Sequence, residues 1–284
     1  MVQARLNQRS EFHLISVERT EYLGIMSSPL ESAAPVTLDE NGFYFPTPIV
    51  VQGTPAGDYY NTLLRGLTHK LNNFLAVIQG FSSLILMSDG LEQGVKENLE
   101  HMKEAAVGAG QLAERIMAAG GCARLNPQPL NLVTFIPLIE SNLRAPFTRL
   151  NVPLQVNVSP DLQPVLVDNG RMKEILCEIT LNAAEAVQLS GKGGSVGLDI
   201  IPSGQVPGSR PGCIDIFVRN TAADLSPEKL RDFFRPFHST KDSKHYGIGL
   251  TITHMLCAQM GIRLGLKSEN ETTTVWLSVP LATV

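Results

Sequence analysis

The sequence predicts an α+β protein of more than one domain. An antiparallel helical hairpin, which forms a four-helix bundle in a dimer, precedes an α/β sandwich. Two long helical patterns with apolar stripes occupy the first half of the chain, and short extended segments alternate with helical ones in the second. The 284 residues suit about two domains of ordinary size. We place an N-terminal segment of unassigned role at 1–57, the hairpin at 58–124 and the sandwich at 125–284.

The first helical pattern begins near Asp58 and runs to about Ser88. Its apolar residues recur at alternating steps of three and four, the spacing of a coiled-coil seam. This seam consists of Leu64, Leu67, Leu71, Phe74, Ile78, Phe81 and Ile85. His69 falls on the side of the helix away from the seam, and Asn73 lies one turn further along that same face. A histidine that faces water is available for chemistry.

A second helical pattern follows and ends near Ala119, before the pair Gly120-Gly121 that favours a helix C-terminus. Its stripe consists of Val95, Leu99, Met102, Ala106, Ala109, Ala113 and Ile116. Two helices with long apolar faces bury them poorly alone. We therefore expect two chains to form a four-helix bundle; the alternative is a monomeric hairpin that packs on the next domain.

The flanking segments carry weaker signals. Asn41-Gly42 is a turn signal, and a short hairpin of Phe43–Phe45 with Ile49–Val51 is predicted in the N-terminal segment. Asn126–Pro129 is interpreted as a linker, because it contains two prolines.

The second half predicts an α/β sandwich with one helical face. Its predicted helices are 133–143, 172–189, 227–234 and 250–260. Its predicted strands are 154–158, 165–167, 196–201, 214–218, 263–268 and 273–279.

Composition excludes several classes of function. The formal charge of −4 and the lack of a run of basic residues argue against nucleic acid as a partner. No apolar stretch reaches the 18–20 residues, approximately, of a membrane span. The four cysteines are far apart and form no C-x-x-C pair, which is typical of buried thiols in a reducing compartment. We expect a cytoplasmic protein that binds neither nucleic acid nor a membrane.

Four motifs resemble the boxes of the two-component sensor histidine kinase family. The stretch 67–75 (LTHKLNNFL) resembles its phosphoacceptor box, and 178–186 (EITLNAAEA) resembles the asparagine box of its ATP-binding domain. The stretch 233–241 (FFRPFHSTK) resembles the phenylalanine box, and 247–250 (GIGL) the second glycine box. Each motif alone is weak evidence for this family, but four motifs in the family's order are specific evidence. The resemblance implies that the α/β sandwich is an ATP-binding domain of the GHKL type.

The resemblance also implies roles in the helical hairpin. His69 would be the phosphoacceptor, since an imidazole nitrogen is a competent nucleophile near neutral pH. It would take a phosphoryl group from Mg-ATP and pass it to an aspartate in the receiver domain of a response regulator. Asn73 occupies the position where the family orients water for dephosphorylation of that receiver.

In the ATP-binding domain, the resemblance makes Asn182 a Mg²⁺ ligand, since this ion prefers oxygen. Glu178 lies one turn earlier and resembles the general base of related ATPases. The other nucleotide-binding positions implied are Asn220 for the base, and Lys241, Gly247 and Gly249 for the phosphates.

Two departures from the family pattern weaken the prediction of ATP use. The first glycine box has Asn220 in place of its adenine-reading aspartate, and Ala222 and Asp224 in place of its glycines. Lys70 follows the histidine where the family has an acid. A histidine kinase is therefore the first hypothesis. The alternative is an ATP-incompetent histidine phosphotransferase, or a response-regulator phosphatase or docking scaffold. A purely structural binding protein would require His69 to be idle as well.

Overall fold

The computed structural model describes residues 36–47, 55–222, 224–234 and 247–282. The helices are α1 (Pro55–Leu86), α2 (Gln93–Ala119), α3 (Leu132–Leu150), α4 (Asn169–Ser190), α5 (Pro227–Asp232) and α6 (Gly249–Gln259). The strands are β1 (Val36–Leu38), β2 (Tyr44–Pro46), β3 (Gln128–Leu130), β4 (Leu154–Val158), β5 (Val165–Val167), β6 (Val196–Pro202), β7 (Cys213–Thr221), β8 (Arg263–Glu269) and β9 (Thr272–Pro280). The α+β class predicted from the sequence is confirmed.

Seven strands form one mixed sheet in the order β1-β2-β8-β9-β7-β6-β4. All neighbouring pairs are antiparallel except β4 and β6, which run parallel with Leu154 opposite Val196. Helix α4 lies in the connection between these two strands, as a parallel pair requires. In the antiparallel β7–β9 pair, Asn220 lies opposite Thr273.

The main hydrophobic core lies between this sheet and helices α3, α4 and α6. Its fully buried side chains include Leu132, Leu143, Met172, Ile175, Leu176, Ile179, Leu198, Ile200, Ile214 and Ile216. The remaining β3 and β5 pair with each other in a small antiparallel sheet. Residues 126–129, interpreted above as a linker, therefore contain part of a strand.

Helices α1 and α2 pack against each other as an antiparallel hairpin. Their contact face is not the apolar seam predicted for α1. Leu75 and Ser82 are buried on it, and Ala106 and Ala113 are buried on α2. Small side chains allow two helices to approach closely.

The predicted seam lies one residue earlier along α1 and is largely exposed. Its exposed members are Leu67, Leu71, Phe74, Ile78, Phe81 and Ile85, and α2 adds Val95, Met102 and Ile116. We call this set the apolar stripe. None of the helices described is long and apolar enough to cross a membrane.

The N-terminal hairpin forms around the predicted turn, but its partner strand differs from the prediction. β1 pairs with β2 across Asn41-Gly42, whereas Ile49–Val51 lies outside the described residues. Asp39 accepts hydrogen bonds from the backbone N–H groups of Asn41 and Phe43 at 3.0 and 2.8 Å, which stabilises the turn. β2 then joins β8, with Tyr44 opposite Leu266, so the hairpin extends the large sheet.

His254 of α6 connects this hairpin to the core. The Pro46 carbonyl accepts a hydrogen bond from His254, whose ring lies edge-on to Phe234 with centroids 5.6 Å apart. Within the described residues its Nε2 has no partner, so Nδ1 donates the bond. Burial lowers the pKa of His254 to about 4, against the opposing effect of the bond to Pro46.

We predict that this histidine makes the fold sensitive to acid. Its folded-state pKa lies below the unfolded value of about 6.5, so protons bind preferentially to the unfolded chain. The free energy of unfolding should fall by about 3 kcal/mol on this account between pH 7 and pH 4. Urea denaturation across that range should give a shallower pH dependence for His254→Gln than for the wild type. His101→Gln, at an exposed histidine of α2, is the control. Identical pH profiles for His254→Gln and the wild type would contradict the prediction.

Candidate functional site

The predicted phosphoacceptor lies on the exposed surface of α1. His69 and Asn73 are both exposed and one turn apart, and Asn73 Nδ2 lies 3.4 Å from His69 Nδ1. If the amide donates in this contact, Nδ1 accepts and the ring proton is on Nε2; the rotated amide would accept from Nδ1–H instead. The contact with Asn73 therefore engages Nδ1 of His69 and leaves Nε2 outside it.

A second candidate site is a cleft at the edge of the main core. The cleft encloses about 620 Å³, part of it open to solvent. It is lined by Ile179, Asn182, Ala183, Ala186, Asn220, Ala222, Leu225, Phe233, Phe234, Leu250, Leu264, Leu266, Thr273 and Val275. Its apolar walls with a few polar groups are typical of small-molecule sites. Among the described residues, neither His69 nor Asn73 lines this cleft.

Asn220 supplies the most distinctive polar group of the cleft. It is 4% exposed, and within the described residues its Nδ2 has no hydrogen-bond partner. Thr273 lies opposite it, and the Thr273 hydroxyl is 3.2 Å from that of Ser268. Ser268 Oγ in turn accepts a hydrogen bond from the Leu225 backbone N–H at 3.0 Å. A buried unpaired amide costs about 1–3 kcal/mol, so a ligand that offers an acceptor here would be stabilised.

Helix α4 holds two further predicted residues, Asn182 in the lining of the cleft and Glu178 one turn before it. Glu178 and Asn182 are both half-buried and one turn apart, with Asn182 Nδ2 donating to Glu178 Oε1 at 3.5 Å. Asp168 fixes the start of this helix by accepting hydrogen bonds from the Arg171 and Asn126 backbone N–H groups at 3.0 and 2.8 Å. Desolvation opposes ionisation of Asp168, but these bonds outweigh it and lower the pKa.

Gly249 begins α6 directly beside Glu178. A Cβ added at Gly249 would overlap the Glu178 carboxylate, so only glycine allows this approach. Gly247 has φ of 63°, in the left-handed region that favours glycine. The carboxylate therefore lies against a helix N-terminus, where backbone N–H groups attract anions.

The residues that replace the glycines of the first glycine box have structural roles. Ala222 lines the cleft, and its backbone N–H donates to the Glu271 carbonyl at 2.9 Å. The Asp224 carboxylate accepts from the Glu271 N–H at 2.7 Å. This segment is thereby fixed to the β8–β9 turn. Lys241 lies outside the described residues.

Sequence reasoning missed part of the cleft. Thr273 and the aliphatic residues Leu264, Leu266 and Val275 come from β8 and β9. The sequence shows the alternation of apolar and polar residues along these two strands. It does not show that the strands lie next to Asn220, because that depends on the order of strands in the sheet.

Comparison with known proteins agrees with this arrangement. Residues 167–283 match the family described as histidine kinase-, DNA gyrase B- and HSP90-like ATPases. The sensor kinase CckA of Brucella abortus is 25% identical over 211 residues, covering 70% of this chain and 22% of CckA. The sensor protein FixL of Bradyrhizobium diazoefficiens is 24% identical over 212 residues, covering 73% of this chain and 40% of FixL. The chain thus spans less than half the length of these relatives.

The fold also has a solved counterpart. Full-length ShkA in complex with AMPPNP superposes with a TM-score of 0.61 at 21% identity, covering 78% of this chain and 46% of ShkA. A helical hairpin followed by a GHKL-type ATPase domain is the class of protein defined by this fold and cleft. Within that class, the chain resembles two-component sensor histidine kinases, and its residues 167–283 match the ATPase family.

Proposed function

We propose that the chain is a protein-histidine kinase that phosphorylates His69 from Mg-ATP and passes the phosphoryl group to a response-regulator aspartate. The observation that carries this proposal is the apolar cleft within the match to the ATPase family. In that cleft the buried Asn220 Nδ2 has no hydrogen-bond partner among the described residues. FixL and CckA, named as sensor proteins, support the same assignment.

The proposed reaction uses residues from both sites. A ring nitrogen of His69 attacks the γ-phosphorus of ATP, a nitrogen–phosphorus bond forms, and the bond from phosphorus to the bridging oxygen of ADP breaks. Asn182 would hold the Mg²⁺ that accompanies the nucleotide. Glu178 would accept the imidazole proton, since Lys70 is protonated near neutral pH and cannot act as that base. The receiver aspartate then attacks phosphorus and the histidine is released.

The same proposal includes a homodimer. None of the described residues covers the apolar stripe on α1 and α2, and Phe74 and Phe81 are 68% and 63% exposed. A second copy would place an identical stripe against it in a symmetric four-helix bundle. Contiguous apolar surface of this extent marks an interaction site. The proposed domains are 1–57, 58–124 and 125–284, although strands β1 and β2 of the first segment join the large sheet of the third.

The proposal predicts that His69 carries the label. The full chain incubated with Mg-[γ-³²P]ATP should gain acid-labile, alkali-stable phosphate, as a phosphoramidate requires. His69→Gln should lower the labelling to background, whereas His101→Gln, a change at another exposed histidine of the hairpin, should retain it. Equal labelling of His69→Gln and the wild type would contradict the assignment. If no nucleotide binds at millimolar concentration, the kinase is excluded. Dephosphorylation of a phosphorylated receiver, compared with Asn73→Ala, then tests the phosphatase alternative.

A further inference from the structure

The polar groups in the cleft have no fixed preference between hydrogen-bond donors and acceptors. Asn182, Asn220 and Thr273 are the polar residues among those described as lining it, and no charged residue lines it. A carboxamide offers a donor and an acceptor side by side, and a hydroxyl rotates to serve as either. Apart from Asn182 and Thr273 the described lining is apolar, so the Asn220 amide and the neighbouring Thr273 hydroxyl meet whatever edge a ligand presents there.

The orphaned amide of Asn220 suits the edges of two kinds of purine. Adenine presents an amino donor beside a ring-nitrogen acceptor, and asparagine pairs with such an edge through both of its groups. Guanine and hypoxanthine present the reverse order, a carbonyl acceptor beside a ring N–H donor. Rotation of the Asn220 amide by a half-turn exchanges its oxygen and nitrogen, so the same side chain pairs with either order. Both pairings give the buried Nδ2 the acceptor that it lacks among the described residues.

An aspartate at this position would behave differently. An ionised carboxylate only accepts hydrogen bonds, so it pairs with the amino group of adenine and repels the carbonyl of guanine. In an apolar cleft such a repulsion is weakly screened. The asparagine therefore removes the discrimination that a carboxylate would impose.

We infer that the cleft accepts 6-oxopurine nucleotides as well as adenine nucleotides, with Asn220 as the residue that sets base selectivity. This inference rests on the proposed nucleotide-binding function and extends it to the class of base. Thr273 contributes to binding without selecting, because its hydroxyl adapts to either edge.

The test measures binding rather than turnover. Isothermal titration calorimetry of the full chain with Mg-ADP, Mg-GDP and Mg-IDP at pH 8 should give dissociation constants for ADP and IDP within about fivefold of each other. IDP carries the 6-oxo edge without the 2-amino group of guanine, so it separates recognition of the edge from steric exclusion. Asn220→Asp should shift the ratio toward adenine by at least about tenfold, through loss of affinity for the oxopurines. Asn151→Asp makes the same chemical change at an exposed helix C-cap and should leave the ratio unchanged.

The outcomes separate this inference from the function on which it rests. Binding of ADP with GDP and IDP both at least thirtyfold weaker would overturn the inference and leave the kinase proposal standing. Failure of all three nucleotides to bind would overturn the kinase proposal itself. The comparison within the wild-type chain is decisive even if Asn220→Asp does not fold.

Discussion

Replacing both Phe74 and Phe81 by aspartate is expected to convert the protein from a dimer to a monomer. Both side chains lie in the apolar stripe and are 68% and 63% exposed in one chain, so the change disturbs little within the monomer. In the proposed four-helix bundle each would be buried against a second copy, where two charges per chain would be desolvated without partners. That penalty amounts to several kcal/mol for each buried ion, which exceeds what a bundle of this size can absorb.

Multi-angle light scattering at micromolar concentration measures the result directly. Leu138→Asp is the matched control, because this α3 side chain is large, apolar and 78% exposed but lies outside the hairpin. The control should keep the dimeric mass, and circular dichroism should show unchanged helix content for both variants. A wild-type protein that is monomeric, or a double variant that stays dimeric, would refute the role of the stripe.

Gly249→Ala is expected to weaken Mg-ADP binding by at least tenfold while leaving the fold intact. The new methyl group would overlap the carboxylate of Glu178 and narrow the space at the N-terminus of α6. Phosphates must approach the backbone N–H groups there closely. The overlapping atoms belong to the end of a flexible side chain, which can rotate away. We therefore expect the free energy of unfolding to change by about 1 kcal/mol or less.

Calorimetric titration with Mg-ADP, together with urea denaturation, separates the two effects. Gly94→Ala is the control, since this helical glycine of α2 has open space around its Cα and lies outside the cleft. Unchanged affinity in Gly249→Ala would mean that phosphates do not approach this helix end. A large loss of stability would mean that Glu178 is held rigidly against α6.

The regular elements could be predicted because their patterns are local. The long helices and the strands of the ATPase domain agree with the predicted spans to within a few residues at most ends. Helix α3 continues to Leu150, beyond its predicted end at residue 143, although it contains Pro137 and Pro146. Strand β3 was missed because prolines usually mark turns, but this strand has a single partner, and an edge strand tolerates them.

The packing of the hairpin could not be predicted from periodicity alone. The sequence of α1 has a seven-residue repeat of apolar residues. The neighbouring stripe, one residue further along the helix, repeats at the same spacing. Within the chain, α2 packs on the stripe that contains Ser82, through the small residues Ala106 and Ala113. The larger apolar residues therefore stay exposed, a result that depends on the size of the facing side chains.

The candidate site could be predicted where motifs supplied it. The motifs located Glu178, Asn182 and Asn220, and the structure places Asn182 and Asn220 in the lining of one cleft and Glu178 one turn before Asn182. The contact between Glu178 and Gly249 joins residues that are distant in sequence, so only the packing of α4 on α6 reveals it. That Asn220 Nδ2 is buried without a partner among the described residues likewise follows from tertiary packing, which the sequence does not show.

Because β2 pairs with β8, Thr47 is held at the large sheet. The length of chain between Thr47 and Pro55 therefore limits how far α1 can lie from that sheet. Thr47 follows the strand that joins the large sheet, and Pro55 begins α1, so eight peptide steps connect the sheet to α1. A fully extended chain of that length reaches about 28 Å. Any swing of the catalytic sheet relative to the start of α1 is limited to that reach while the hairpin stays paired. Release of the β1–β2 strands would lengthen this connection and allow the sheet to move further from the start of α1.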